Sequence, residues 1–75
     1  MPKLPRISAN EVVRVLEKLG FSQSRQKGSH LIMRKDTPNG NKGCVVPMHK
    51  TLAVGTLRSI LRQSQITPEE FIKNL

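Results

Sequence analysis

His30 ends the run Gln26-Lys27-Gly28-Ser29-His30, beside a glycine, a hydroxyl and two cations, Arg25 and Lys27. Imidazole has an ordinary pKa of about 6.5, so it exchanges a proton near neutrality. RNA carries its own nucleophile. A 2′-hydroxyl next to the scissile phosphate needs a base to take its proton and cations to offset the charge that builds on the phosphorus. The run therefore has the composition for RNA cleavage without a metal, with His30 as the base or the matching acid. Lys27, Arg25 and Arg34 are the candidate phosphate stabilisers. The Gly28 and Ser29 backbone is a candidate for close approach to the sugar–phosphate chain, because glycine removes the steric obstacle. The plain alternative is a strand-start histidine that merely follows a glycine turn.

The second histidine, His49, is followed by Lys50. His49 either forms an acid/base pair with His30 or caps and orients the chain, and Lys50 is a further candidate phosphate contact. These two histidines, with Glu11, Glu17 and Asp36 in separate segments, show none of the close ligand spacings of metal sites. No metal and no other cofactor is expected.

The length and charge limit what can hold these groups. The 75 residues make one domain, 1–75, which buries only about 60–65% of its unfolded surface, so a site should be shallow and surface-borne. Thirteen Lys and Arg against five Asp and Glu leave a net charge of +8, which points to nucleic acid or to an acidic protein. The single cysteine, Cys44, excludes an internal disulfide and a Cys-pair zinc site and fits a reducing cytosol. No apolar run reaches signal-peptide or membrane-spanning length, either after the basic start Met1-Pro2-Lys3-Leu4-Pro5 or later. A cytoplasmic protein without a membrane partner is expected. There is no Trp or Tyr, and Phe21 and Phe71 stand at structural positions, which argues against a base-stacking platform built on aromatic rings.

The elements that must position His30 follow from periodicity. Ser8 stands three residues before Glu11 in a capping-box arrangement, with Ile7 and Val12 at the staple positions. Val12, Val15, Leu16 and Leu19 keep the spacing of one helical face, so a helix is predicted over about Ala9–Leu19 with Gly20 as its terminator. Its outer face carries Arg14 and Lys18, candidates for RNA contact or simply a solvated face. A strand over Phe21 to about Lys27, the turn Lys27-Gly28-Ser29 and a strand over His30–Lys35 follow. In the second strand Leu31 and Met33 oppose His30, Ile32 and Arg34, and either set could face the core. Asp36 to Gly43 is dense in turn formers and is expected to be a loop without fold of its own. A third strand is predicted from Cys44 to about His49, with Pro47 confining it to an edge or to its own last residues.

Beyond Thr51 the period returns to 3.6. Val54, Leu57, Ile60 and Leu61 form an apolar stripe and Arg58 and Arg62 a basic one, giving a second helix with Gly55 and Thr56 in its first turn. Thr67-Pro68-Glu69-Glu70-Phe71 sets a cap, a proline and two acids at the start of a short third helix, with Ile66 stapled to Phe71. Phe71, Ile72 and Leu75 are expected to finish the core. The result is an α+β domain, α-β-β-β-α with a short C-terminal helix, with helices on one face of a three-stranded antiparallel sheet. That is the order of double-stranded-RNA-binding domains.

Over nearly its whole length the chain resembles the HicA toxins of HicA–HicB toxin–antitoxin systems. The likeness is carried by Ser8 through Leu19, Gly20-Phe21, Arg25-Gln26-Lys27-Gly28-Ser29-His30, Val46-Pro47-Met48-His49, Gly55-Thr56-Leu57-Arg58-Ser59-Ile60-Leu61 and Ile66 through Phe71. The Gly-Ser-His and Gly-Thr-Leu blocks at this separation are specific together. The resemblance implies a double-stranded-RNA-binding-like fold, mRNA interferase activity with His30 catalytic, mRNA as substrate, and a HicB-like antitoxin covering the His30 face. Leu31 stands where many relatives have a second histidine, and Val54 where many have proline. Two other classes compete. One is a non-catalytic module that binds duplex RNA through Arg14, Lys18, Arg58 and Arg62. The other is a helix-turn-helix built from the last two helices, which Glu69 and Glu70 oppose by aiming carboxylates at a groove.

Overall fold

Ser8 starts the first helix as its spacing to Glu11 predicts. Its Oγ accepts from the Glu11 N–H and donates to the Glu11 carboxylate, both at 3.2 Å, which satisfies an amide that the first turn leaves without a helical partner. The computed structural model describes residues 3–75; Met1 and Pro2, the start of the basic N-terminal stretch, lie outside the described residues. Six elements follow in the order α1 (Ala9–Lys18), β1 (Ser22–Lys27), β2 (His30–Thr37), β3 (Gly40–Pro47), α2 (Val54–Ser64) and α3 (Pro68–Lys73). The strands form one antiparallel sheet in the order β1-β2-β3.

Burial decides which sheet face the helices cover. Leu31 and Met33 of β2 and Cys44 and Val46 of β3 are buried, and they join Val12 and Leu16 of α1, Leu57 and Ile60 of α2 and Phe71 of α3 in one apolar cluster. The alternate residues His30, Arg34 and Val45 are exposed on the other face, as the two-residue period of a strand requires. The α+β layering expected from the sequence is the one observed.

Local chemistry fixes the joints. Lys35 donates its Nζ to the Leu19 carbonyl at 2.8 Å and lies 5.9 Å from the Phe21 ring centroid, so a cation meets the carbonyl end of α1, where the helix dipole favours it. Gln63 of α2 accepts the outward Val45 N–H at 3.1 Å, which closes the β3 edge of the sheet. Thr67 Oγ1 accepts from the Glu70 N–H at 3.1 Å at the start of α3.

The structure corrects the reading of the sequence at three places. Asp36–Gly43 is not a loop: β2 runs on to Thr37, β3 begins at Gly40, and only Pro38-Asn39 lie between the Thr37↔Gly40 pair, whose ends are tied by the Thr37 hydroxyl to the Gly40 carbonyl. Turn-forming residues were the right signal, but they make a two-residue hairpin turn rather than a free loop. β3 ends at Pro47 and not at His49. Proline has no N–H for the ladder, and two residues later the His49 N–H turns back to the Pro47 carbonyl at 2.9 Å, taking the chain off the sheet. Leu75 is 50% exposed and outside the core, which α3 completes with Phe71 at 0% exposure; the last residue lies beyond the helix whose apolar face would have buried it.

Candidate active site

The Lys27-Gly28-Ser29-His30 turn joins β1 to β2 with Lys27 and His30 as its closing pair. Gly28 lies at φ +60°, the left-handed region that costs a side-chain-bearing residue about 1–2 kcal/mol. A Cβ there would meet nothing within 4 Å, so backbone conformation and not crowding calls for glycine. Two contacts hold the turn. Gln26 Nε2 donates to the Gly28 carbonyl at 3.1 Å, and the Met48 N–H donates to the Ser29 carbonyl at 2.6 Å.

Across the uncovered face the register sets three rows. Lys27, His30 and Pro47 are cross-strand neighbours; Arg25, Ile32 and Val45 form the next row; Ser22, Arg34 and Gly43 form the third. A bulge between Gln23 and Arg25 re-aims β1 so that Arg25 and Lys27 both fall on the His30 face. His30, Arg25, Lys27 and Arg34 are all exposed there. The face is shallow, as a chain of this size predicts.

His49 and Lys50 lie just past β3, at the sheet end that carries His30. The His49 carbonyl accepts the Ala9 N–H at 3.1 Å, and the Leu52 N–H reaches the Ile7 carbonyl at 2.8 Å. The 47–52 segment thus straps the Ser29 turn to the start of α1. Ser8, Ala9, Asn10, Met48, His49 and Lys50 line a cleft of about 230 Å³ beside it. Arg14 and Lys18 are not brought to this face. They lie on α1, which packs on the opposite side of the sheet, and Lys18 Nζ is spent on the Asn74 carbonyl at 3.1 Å. Ile32 shares the His30 face as alternation along β2 predicts, whereas Gly43 and Val45 were not placed there from the sequence, although strict alternation through a tight 38–39 turn would have placed them.

Among the described residues no group of three His, Cys, Asp or Glu side chains is placed to hold a metal ion, and no buried side-chain nitrogen or oxygen lacks a hydrogen-bond partner. No helix among them is long and apolar enough to cross a membrane.

A family model described as the HicA toxin of bacterial toxin–antitoxin systems matches residues 9–66. The chain belongs to the HicA toxin family. The match runs from the first residue of α1 through the whole sheet and α2, so it includes every residue of the His30 face. As a HicA toxin the protein is the toxic member of a toxin–antitoxin pair. No curated relative matches the chain.

Proposed function

We propose that this HicA-family toxin is a metal-independent endoribonuclease that cleaves mRNA, blocks translation, and is neutralised by a HicB-like antitoxin seated over the His30 face. One observation carries the reading: His30, the only histidine among the described residues on the uncovered sheet face, shares it with Arg25, Lys27 and Arg34. The His30 imidazole takes the proton of a 2′-hydroxyl as O2′ bonds to the adjacent phosphorus. The P–O5′ bond then breaks, and a proton passes to the departing 5′-oxygen, leaving a 2′,3′-cyclic phosphate and a 5′-hydroxyl. Lys27 is the cross-strand neighbour of His30 and meets the phosphate charge as it grows, while Arg25 and Arg34 hold flanking phosphates. Thirteen cations against five acids leave a net charge of +8. This excess suits RNA, and it suits an acidic antitoxin that competes for the same surface.

End analysis of the RNA products made by the purified chain in EDTA tests the mechanism. Fragments with 2′,3′-cyclic phosphate and 5′-hydroxyl ends are expected. Fragments with 3′-hydroxyl ends, or cutting that EDTA abolishes, refute it.

A further inference from the structure

The middle of the uncovered face is apolar, although the surface around it is basic. Val45, 41% exposed, is one of two large hydrophobic side chains left exposed among the described residues, and its cross-strand neighbour Ile32 is half-buried. Next to Val45 on the same face stands Gly43, paired with Arg34. A Cβ on Gly43 would meet only the Met33 carbonyl oxygen at 3.5 Å and Arg34 Cγ at 4.0 Å, both ordinary contacts, and the glycine is not among those with positive φ. Neither backbone conformation nor crowding therefore requires glycine here. What glycine does is leave a notch in the layer of side chains at position 43, flanked by the row of Ile32 and Val45, with Arg25 across from Ile32 and Arg34 across from Gly43.

We infer that this notch receives an unpaired nucleobase of the RNA, so that the site selects single-stranded over duplex RNA. The inference rests on the proposed endoribonuclease reading and specifies its substrate. Rows on one strand face are two residues apart, roughly 6.6 Å, so a base over Ile32 and Gly43 belongs to a nucleotide next to the one whose 2′-hydroxyl faces His30. Such a base covers apolar surface beneath it and stacks on a guanidinium plane at its edge, a recognised substitute for an aromatic ring. The two arginines meet its phosphates. A base held in a duplex is stacked and paired and has no free face to offer, and a duplex is too wide to lower one base into the notch. Double-stranded-RNA-binding domains read A-form shape; the same element order here leaves a sheet face fit for a different form of RNA.

The test is Gly43→Val, which fills the notch with a side chain strands favour, leaves His30 untouched and keeps every cation, with Arg34 Cγ in ordinary contact at 4.0 Å from the new Cβ. Val45→Thr, which keeps the shape and makes the flank of the notch polar, is the companion variant. Binding of 2′-O-methyl RNA, which lacks the nucleophilic hydroxyl, is measured by fluorescence anisotropy for a single strand and for the same sequence as a duplex, with thermal unfolding alongside. Gly43→Val is expected to lose about tenfold or more in single-strand affinity with no drop in Tm, and the wild type to prefer the single strand. Wild-type affinity in Gly43→Val overturns the inference and leaves the notch to a protein side chain. Equal or tighter duplex binding by the wild type also overturns it. If Gly43→Val loses fold stability, Val45→Thr decides by the same affinity criterion. Cleavage of unmodified RNA separates the two readings: if the chain never cuts but Gly43→Val loses binding, the nuclease reading fails and the notch stands.

Discussion

Replacing Arg25, Lys27 and Arg34 together by alanine removes the cations that share the His30 face and leaves the imidazole in place. All three are exposed and none is among the residues of the core cluster, so the fold is expected to survive. Each phosphate neutralised on a single-stranded RNA contributes about −0.7 to the slope of log K against log salt. Three contacts amount to a slope of about −2, which means the wild type loses about twentyfold in affinity through this face alone between 50 and 200 mM salt. The triple variant is expected to bind uncleavable 2′-O-methyl RNA more weakly at low salt and to have a slope shallower by about two. Anisotropy titrations at four or five salt concentrations measure it. Arg14→Ala/Lys18→Ala is the matched comparison, because α1 packs on the other side of the sheet and Lys18 is held by the Asn74 carbonyl. A triple variant that keeps the wild-type slope while the α1 variant loses it refutes the assignment of the sheet face and favours a duplex-binding helix surface.

Further outcomes follow from the packing and the backbone. Gln65 ends α2 at φ 58°, ψ 39°, a left-handed conformation that an L-residue adopts at a cost of about 1–2 kcal/mol; after glycine's greater loss of chain entropy, Gln65→Gly is expected to raise stability by about 0.5–1 kcal/mol, seen as a Tm increase of a few degrees by circular dichroism. Phe71 is fully buried at the centre of the core, so Phe71→Ala is expected to lose about 3–5 kcal/mol in urea unfolding. Burial pushes the Cys44 thiol up to about 11 from 9.0. The folded state therefore holds this proton more tightly than the unfolded one, and the associated stability is full below pH 9 and lost as the pH rises towards 11. Relative to Cys44→Ala, the wild type is expected to lose stability on the order of 1–2 kcal/mol over that window, and at pH 8 its thiol should react with a disulfide reagent only on unfolding.

Helix positions were legible in the sequence because caps are local. Ser8 with Glu11 and Thr67 with Glu70 announce their helices within four residues, and the observed hydrogen bonds are the ones the spacing demands. The sheet was harder. His30, Ile32 and Arg34 opposed Leu31 and Met33 with apolar residues on both sides, so only the helices, which are distant in sequence, could decide which set is buried. The Pro38-Asn39-Gly40 turn chemistry was visible, but its reach was not, and treating 36–43 as a loop hid Gly43 and Val45 from the His30 face. The cations divide in the same way. Arg25 and Lys27 were near His30 in the chain and Arg34 by alternation, whereas the separation of Arg14 and Lys18 from that face depends on how α1 packs.

The central claim is that His30 performs proton transfer on bound RNA. Cleavage of a single-stranded RNA by the wild type and by His30→Ala, in EDTA, with binding of 2′-O-methyl RNA and thermal unfolding measured on the same preparations, tests it most directly. The account predicts that both proteins fold and bind alike while His30→Ala cuts about 10²–10⁴-fold more slowly. Equal cutting by two equally folded proteins would contradict it and make His30 a structural residue of the turn.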